Sequence, residues 1–260
     1  MEYIVTYPKL GSFGRLGNQL FQIAATVAYA QRTGRKATFT RWYCKRDQVA
    51  YADYFEHSLD YREPPAQMTP FTEHVPYEAP IPDLAGHVSL RGYFQSESYF
   101  ANCPGRIRHF FTPKSSLEAS LRSKWAGALH GITCSIHIRR GDYLNLSHLY
   151  PTCTVEYYRR AMDYMMTQGT HQFLVFGDDL DWAREALHGA PAPTRFISGQ
   201  SGIEDLFLMS FCDNHIIANS SFSWWGSWLN RNPAKCVVAP SEWGPNPDVR
   251  DIYGPDWVVM

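Results

Sequence analysis

The sequence contains no C-x-x-C pair. Its six cysteines, Cys44, Cys103, Cys134, Cys153, Cys212 and Cys236, are scattered, which argues against a structural zinc site or a disulfide scaffold and leaves reduced thiols as the expectation. There is no charge excess either: 24 Lys and Arg stand against 25 Asp and Glu, for a net charge of -1. No overall basic field is available to a nucleic-acid backbone, so any anion site must be local. Long apolar runs are missing, and Met1 to Leu10 shows no basic region followed by an apolar one. Neither a signal peptide nor a membrane span is therefore expected, and the chain reads as cytoplasmic or as a soluble fragment, with association at a membrane face left open. Repeats and low-complexity tracts are absent as well. What is present, 45% hydrophobic and 19% charged residues over 260 positions, belongs to an ordered globular protein of one large domain or two modest ones.

The opening reads as a strand near Tyr3–Tyr7, a glycine-punctuated loop over Gly11–Gly17 and a helix over Gln19–Arg32. A second strand is expected at Lys36–Thr40, then proline-rich loops with short helices to about Ala85, a strand at Val88–Tyr93 and a helix at Ser115–Leu129. Beyond that, strand-like runs at Ile132–Ile138, Gln172–Phe176, Arg195–Ile197, His215–Ala218 and Cys236–Ala239 alternate with helical segments at Val155–Met166, Asp181–Leu187, Ile203–Phe211 and Phe222–Leu229. Such β/α alternation implies a parallel sheet, whose ligands sit beyond the carboxyl ends of its strands.

Three polar motifs fall at those ends. In His137-Ile138-Arg139-Arg140-Gly141-Asp142-Tyr143, two guanidinium groups can offer bidentate hydrogen bonds to a diphosphate, although an isolated Arg pair balanced by Asp142 is equally compatible with a solvated surface cluster. Asn219-Ser220-Ser221-Phe222-Ser223 opens a helix, where hydroxyls and unpaired N–H groups form a phosphate cradle or a plain N-cap. Asp178 and Asp179 could accept from the N1–H and exocyclic amine of guanine, bind a metal, or cap the next helix; one is expected to read the base and the other to cap. Trp224, Trp225 and Trp228 are expected to pack helix against sheet rather than stack on sugar. Near the N-terminus, Gly14-Arg15-Leu16-Gly17-Asn18-Gln19 lacks the third glycine of a dinucleotide loop. Asn18 and Gln19 there suit hydrogen bonds to sugar hydroxyls, a simple helix-opening loop being the other reading.

Taken in order, GRLGNQLFQ, GYFQSESYF, HIRRGDY, FGDDLDW and ANSSFSWWGSWLN resemble the motifs of the α-1,2-fucosyltransferases, glycosyltransferase family 11, from Gly14 to about Pro240. The resemblance implies an α/β, GT-B-like fold of two Rossmann-like lobes, an acceptor-side lobe at about 1–130 and a donor-binding lobe at 131–260. It implies GDP-fucose as donor substrate, no cofactor or metal, inversion at the anomeric carbon, and a galactoside-containing glycan as acceptor. By similarity His137 and Asp178 would contact guanine, Arg139 or Arg140 would neutralise the β-phosphate, Ser221, Phe222 and Ser223 would line the nucleotide with Ser220 and Asp179 nearby, and Asn18, with Gly17, would lie near the reacting sugar.

Charge grows on departing GDP, so a fixed Arg acts where a metal otherwise would. Asp142 is the nearest candidate for the base, a role left open. Alternation along an extended strand puts Arg139 on the face of His137 and Arg140 on that of Asp142. The expectation is therefore a catalytic Arg139 and an Arg140 that pairs with Asp142 and braces the loop. The rival readings are another sugar-nucleotide transferase of the same architecture and a noncatalytic sugar- or nucleotide-binding module.

Overall fold

A computed structural model describes residues 2–74, 79–146, 149–244 and 250–260. The chain divides into two compact units, Met1–Ser115 with Arg250–Ile252, and Ser116–Val249 with Tyr253–Met260. Residues 116–130, assigned above to the first lobe, thus belong with the second.

The first unit carries β1 (Ile4–Thr6), α1 (Leu16–Arg32), β2 (Lys36–Thr38), β3 (Thr69–Thr72), β4 (Val88–Arg91) and α2 (Pro104–Phe110). Its strands pair in parallel in the order β2-β1-β4-β3. Apart from Asn18, every residue of α1 from Leu16 to Ala30 is buried, and the helix stops where Gly34 takes the left-handed conformation, φ 66°. The sequence reading missed β3 because Pro70 sits inside it. A proline cannot donate to a central ladder, but β3 is an edge strand and tolerates one.

In the second unit the elements are α3 (Ser115–Lys124), β5 (Thr133–Ile138), α4 (Val155–Thr167), β6 (Gln172–Gly177), α5 (Leu180–Ala186), β7 (Thr194–Phe196), α6 (Gly202–Ser210), β8 (Asn214–Ile216), α7 (Ser221–Leu229), β9 (Val237–Ala239) and β10 (Val258–Val259). Helix α3 begins at the boundary between the units. The six strands are all parallel, in the order β10-β9-β8-β5-β6-β7. Counted from β5, that is the doubly wound order 3-2-1-4-5-6, and the direction of winding reverses between β5 and β8. All six residues of β5 are buried, as expected of a central strand covered on both faces. The helices start where side chains cap them. Thr154 accepts from Tyr157 N, Asp179 from Trp182 N and Ser220 from Phe222 N, while Ser201 and Glu204 form a capping box. On α4, Tyr157, Tyr158, Ala161, Met162 and Met165 make one apolar face against the sheet. Trp224, Trp225 and Trp228 are buried, as packing residues should be.

Strand β8 carries a fully buried histidine, His215, opposite Ser135 of β5. The Asn230 amide nitrogen is 2.8 Å from His215 Nε2, so that ring nitrogen accepts, and Nδ1–H is left to donate to Ser135 Oγ, also at 2.8 Å. Both ring nitrogens are satisfied only when the imidazole is neutral. Burial, helped by Lys235, pushes its pKa from 6.5 to about 3. The unfolded chain binds a proton at His215 that the folded one refuses, so folding stability should drop as pH falls below 6.5, at about 1.4 kcal/mol per pH unit from this group. Urea titrations across that range should show a shallower slope for His215→Gln than for the parent. Equal slopes would remove His215 as the source.

Candidate active site

Strands β5, β6 and β8 deliver three loops to the carboxyl edge where the winding reverses. After Ile138 the chain leaves the strand, and its backbone folds around one carboxylate. Asp178 Oδ1 accepts from Arg140 N at 2.8 Å and Gly141 N at 3.2 Å, and Oδ2 takes Arg139 Nη1 at 2.6 Å. Glycines allow the approach. A Cβ at Gly141 would lie 2.9 Å from Asp178 Oδ2, and one at Gly177, φ 156°, would lie 2.4 Å from Ile138 O. The second carboxylate on Arg139 is Asp142, which accepts from Nη2, and the guanidinium lies over the Tyr143 ring, 5.0 Å from its centroid. Tyr143 then ties this loop to the β8 loop by donating to Asn219 O at 3.1 Å. Asn219 is itself latched through its amide to Pro151 O and Trp243 O.

Because β5 ends at Ile138, strand alternation does not extend to the arginines, and it is Arg139, not Arg140, that pairs with Asp142. Arg140 pairs with Asp179 at 3.2 Å and covers Trp182, 4.0 Å from the ring centroid. Asp178, expected to read a base edge, accepts three hydrogen bonds from the loop and from Arg139 and serves as the loop's anchor; Asp179 does cap α5. Ser223 is fully buried and donates to Ala218 O and Ser220 O, so its hydroxyl cannot line a nucleotide. In the first unit, α1 starts at Leu16 and makes Gly17 a buried helical residue. Gln19 is buried as well, its amide held by Gly14 O, Cys44 Sγ and the Trp42 indole, whereas Asn18 is half-buried and accepts from Gln95 Nε2 at 2.6 Å.

The structure leaves His137 in a different condition from its neighbours. It is 5% exposed, its carbonyl accepts from Tyr158 Oη, its ring lies 5.3 Å from that of Phe222, and its Nδ1 has no hydrogen-bond partner among the described residues. Burial lowers its pKa to about 3 against the opposing pull of Asp178, with Arg139 adding to the fall. A neutral imidazole with an unspent nitrogen results. Phe222 follows Ser220, whose hydroxyl caps α7, and Ser221 is the first residue of that helix, so the N-terminal amides of α7 open beside His137.

One group was missed by sequence reading. Asp205 lies on the first turns of α6, with a buried Oδ1 that has no partner among the described residues. Burial, then the neighbouring Glu204, raises its pKa from 3.8 to about 7 against the pull of Lys124. Both α6 and α7 run antiparallel to the strands they connect, and a Cβ at Gly226 would meet Met209 Cε at 3.1 Å. One turn towards the N-terminus from that contact are Phe222 and Asp205, so Asp205 stands at the same edge as His137. The signal was available: Asp205 is four residues before Met209 and three before Leu208, a carboxylate on the buried face of an apolar helix. No three His, Cys, Asp or Glu side chains come together as a metal site among the described residues.

This architecture has known relatives. Residues 87–260 match glycosyl transferase family 11. The chain belongs to that family. Its curated relatives include an alpha-1,2-colitosyltransferase of Escherichia coli, 34% identical over 62% of this chain and 57% of that protein, and the O-antigen biosynthesis glycosyltransferase WbnK of the same organism, 38% identical over 49% and 44%. A galactoside alpha-(1,2)-fucosyltransferase 1 of Saimiri boliviensis boliviensis is 28% identical over 83% of this chain and 63% of its own. The family 11 chain thus spans 44 to 63% of the length of these relatives. Among solved structures, a NodZ alpha-1,6-fucosyltransferase soaked with GDP-fucose aligns over 88% of this chain and 93% of its own, with a TM-score of 0.58 and 14% identity. POFUT1 in complex with GDP-fucose aligns over 100% and 97%, with a TM-score of 0.54 and 12% identity. The family 11 chain has the GT-B fold of these fucosyltransferases.

Anchoring by Asp178 is testable without activity. Asp178→Asn replaces charge-assisted bonds to Arg139 and to two backbone amides, and should cost about 1.5–3 kcal/mol of folding stability, read by chemical denaturation. Unchanged stability would return Asp178 to the role of base reader.

Proposed function

We propose that this family 11 chain transfers L-fucose from GDP-fucose to a glycan hydroxyl, with inversion and without a metal, forming an α-1,2 linkage to a terminal β-galactoside. One observation carries the reading: unspent buried polar atoms of His137 and Asp205 face the switch point of a doubly wound sheet, beside an arginine clamped in place and a helix N-terminus. Guanine offers N1–H and an exocyclic amine to one carboxylate and adenine does not. Asp205 has an oxygen left for them, so the base-reading role passes to it from Asp178. The diphosphate is assigned to Arg139, to the N–H groups that open α7 and to the hydroxyl of Ser221. A guanidinium carries five N–H donors, which two carboxylates do not exhaust. Clamped between Asp142 and Asp178, Arg139 meets the charge that develops on leaving GDP without reorganising. Asp142 orients Arg139 in this reading and is not assigned proton abstraction. Asn18 is assigned to the sugar side. The galactoside acceptor is taken from the name of the Saimiri relative, a galactoside alpha-(1,2)-fucosyltransferase.

Incubation with GDP-fucose and β-galactosides, with linkage analysis of the product, tests the proposal. Transfer should persist in EDTA, and activity that EDTA abolishes and manganese restores overturns the metal-free reading. A colitosyl donor is the second reading, favoured by the 34% identical relative; competition between the two sugar donors separates them. Arg139→Lys should remain folded but lose turnover by about 100-fold or more, since a point charge cannot reproduce the planar fork. Arg140→Lys should instead lower the melting temperature, its Trp182 stack being worth about 0.5–2 kcal/mol. The reverse pattern exchanges the two roles.

A pH dependence follows from Asp205. A protonated carboxyl cannot accept both guanine donors, so binding must expel the proton wherever the free protein holds it, which is below about pH 7. Affinity for GDP-fucose, whose diester phosphates do not titrate there, should fall about tenfold for each pH unit below that point and level off above it. Calorimetry of Asp205→Asn should give weaker binding that is flat across the same range; a parent profile that is itself flat excludes Asp205 from the base contact.

A further inference from the structure

Charge is unevenly spread along the first unit. Between Tyr3 and Arg46 the chain carries eight Lys or Arg and no Asp or Glu, in a protein whose net charge is -1. The topology sorts these cations to two ends. Arg32, Arg35 and Lys36 stand where α1 ends and β2 begins, and there they are spent: Arg32 on Asp83 at 2.6 Å, Lys36 on Asp60 at 2.7 Å, and Arg35 on the carbonyls of Leu84 and Gly86. Lys9, Arg15, Arg41, Lys45 and Arg46 fall on the loops that leave β1 and β2. Those strands are parallel neighbours, so the two loops emerge side by side at the carboxyl edge of the sheet, where ligands of such sheets collect.

The loop after β2 is held in one shape. Trp42 and Cys44 are buried and alternate with exposed Arg41, Tyr43 and Lys45. Cys44 and Val49 exchange backbone hydrogen bonds at 2.8 and 3.3 Å. Between them Gln48 takes the left-handed region, φ 56°, its amide nitrogen donating to Lys45 O at 2.6 Å and its carbonyl accepting from Tyr43 Oη at 3.0 Å. The β1 loop supports this turn: Lys45 N donates to Gly11 O at 2.9 Å, and a Cβ at Gly11, φ 82°, would lie 2.1 Å from Tyr43 O. Nearby acids do not neutralise the edge. Asp47 is engaged by Tyr51 Oη at 2.8 Å, by Cys44 Sγ at 3.2 Å and by Arg15 at 3.7 Å, and Asp53 acts with Arg41 on the Tyr61 hydroxyl. Among the described residues neither Lys9 nor Lys45 has an ion-pair partner.

We propose that Lys9, Arg41 and Lys45, at the carboxyl edge of the first sheet, form an anion site for a carboxylate or phosphate carried by the acceptor glycan. Ammonium and guanidinium groups donate and never accept, so they select an anionic oxygen. A turn already fixed spares the ordering cost of binding. That suits a discrete anion, whereas a fluid lipid surface moulds itself to the protein and gains nothing from it. A cluster this small in a chain of net charge -1 supplies no field long enough for a nucleic-acid backbone. The proposal rests on the transfer reading only in calling the ligand an acceptor, because that reading assigns the donor to groups of the second unit.

Two charged β-galactosides test it, lactobionate and lactose 1-phosphate, each beside its neutral counterpart, lactitol and lactose. NMR titrations at low salt should show each anion binding about fivefold more tightly than its counterpart. The difference should close in about 0.5 M NaCl and in the double variant Arg41→Gln/Lys45→Gln. That variant keeps the turn, whose bonds at Lys45 are made by the backbone. In transfer assays the acceptor KM values should follow the same ratio, which loss of folded protein leaves unchanged because it affects both acceptors alike. Equal KM values in the parent, or a fivefold ratio that survives in the double variant, overturn the site while leaving the transfer reading intact. Vesicles of phosphatidylglycerol that sediment the parent and not the double variant, with charged and neutral glycans bound equally, overturn the glycan assignment in favour of a lipid surface. Charge-selective binding that needs Arg41 and Lys45 in a protein that transfers no fucose upholds the anion site and sinks the transfer reading instead.

Discussion

The loops at the carboxyl edge of the second unit's sheet depend on one carboxylate. Asp178 turns the chain after β5 by accepting two consecutive backbone N–H groups, and with its other oxygen it fixes the guanidinium of Arg139. Without it, two adjacent arginines at a strand end would be mobile side chains on a loop with unpaired amides. With it, Arg139 is held from two sides, while Arg140 pairs with Asp179 and lies over Trp182. The glycines at 141 and 177 are as necessary as the charge, because the carboxylate reaches the backbone only where no Cβ intervenes.

Around that anchor the second unit keeps its ionisable groups in two classes. Some are spent internally. His215 is neutral and satisfied on both ring nitrogens, and the Ser223 hydroxyl is used by the backbone. Others are buried yet retain capacity, namely His137 Nδ1 and Asp205 Oδ1. Desolvation acts on both classes and pushes His137, His215 and Asp205 alike toward the uncharged form. What separates His215 from His137 is the hydrogen-bond capacity that remains and not the size of the pKa shift.

The same division runs through the first unit. The motif that opens α1 looks like a single polar cluster in sequence, but Gln19 and Gln22 turn inward to hold the backbone of the preceding loop, while Asn18 is half-buried and Arg15 exposed. The turn after β4 repeats the pattern, with Phe94 driven into the core and Tyr93 left at the surface. Polar and aromatic residues in one motif serve different ends because each step along the helix or the turn re-aims the side chain, by about 100° per residue in the helix.

Much of this was legible in the chain alone. Alternating strand and helix patterns in the second half pointed to its parallel sheet, the two-lobed fold followed from the resemblance to family 11, and HIRRGDY and ANSSFSWW were placed after buried strands, where ligands collect in such sheets. Edge elements such as β3 and β10 were lost because proline and short length erase the period that burial imposes on longer strands. Which member of each polar motif faces a ligand was not legible either. Hydrogen-bond capacity turned on long-range partners: Asp178 accepts from a loop 37 to 39 residues away, whereas Asp205 Oδ1 has no partner among the described residues. Local sequence determines what a side chain can donate or accept, but only the tertiary fold brings up the partners that use that capacity or leave it for a substrate.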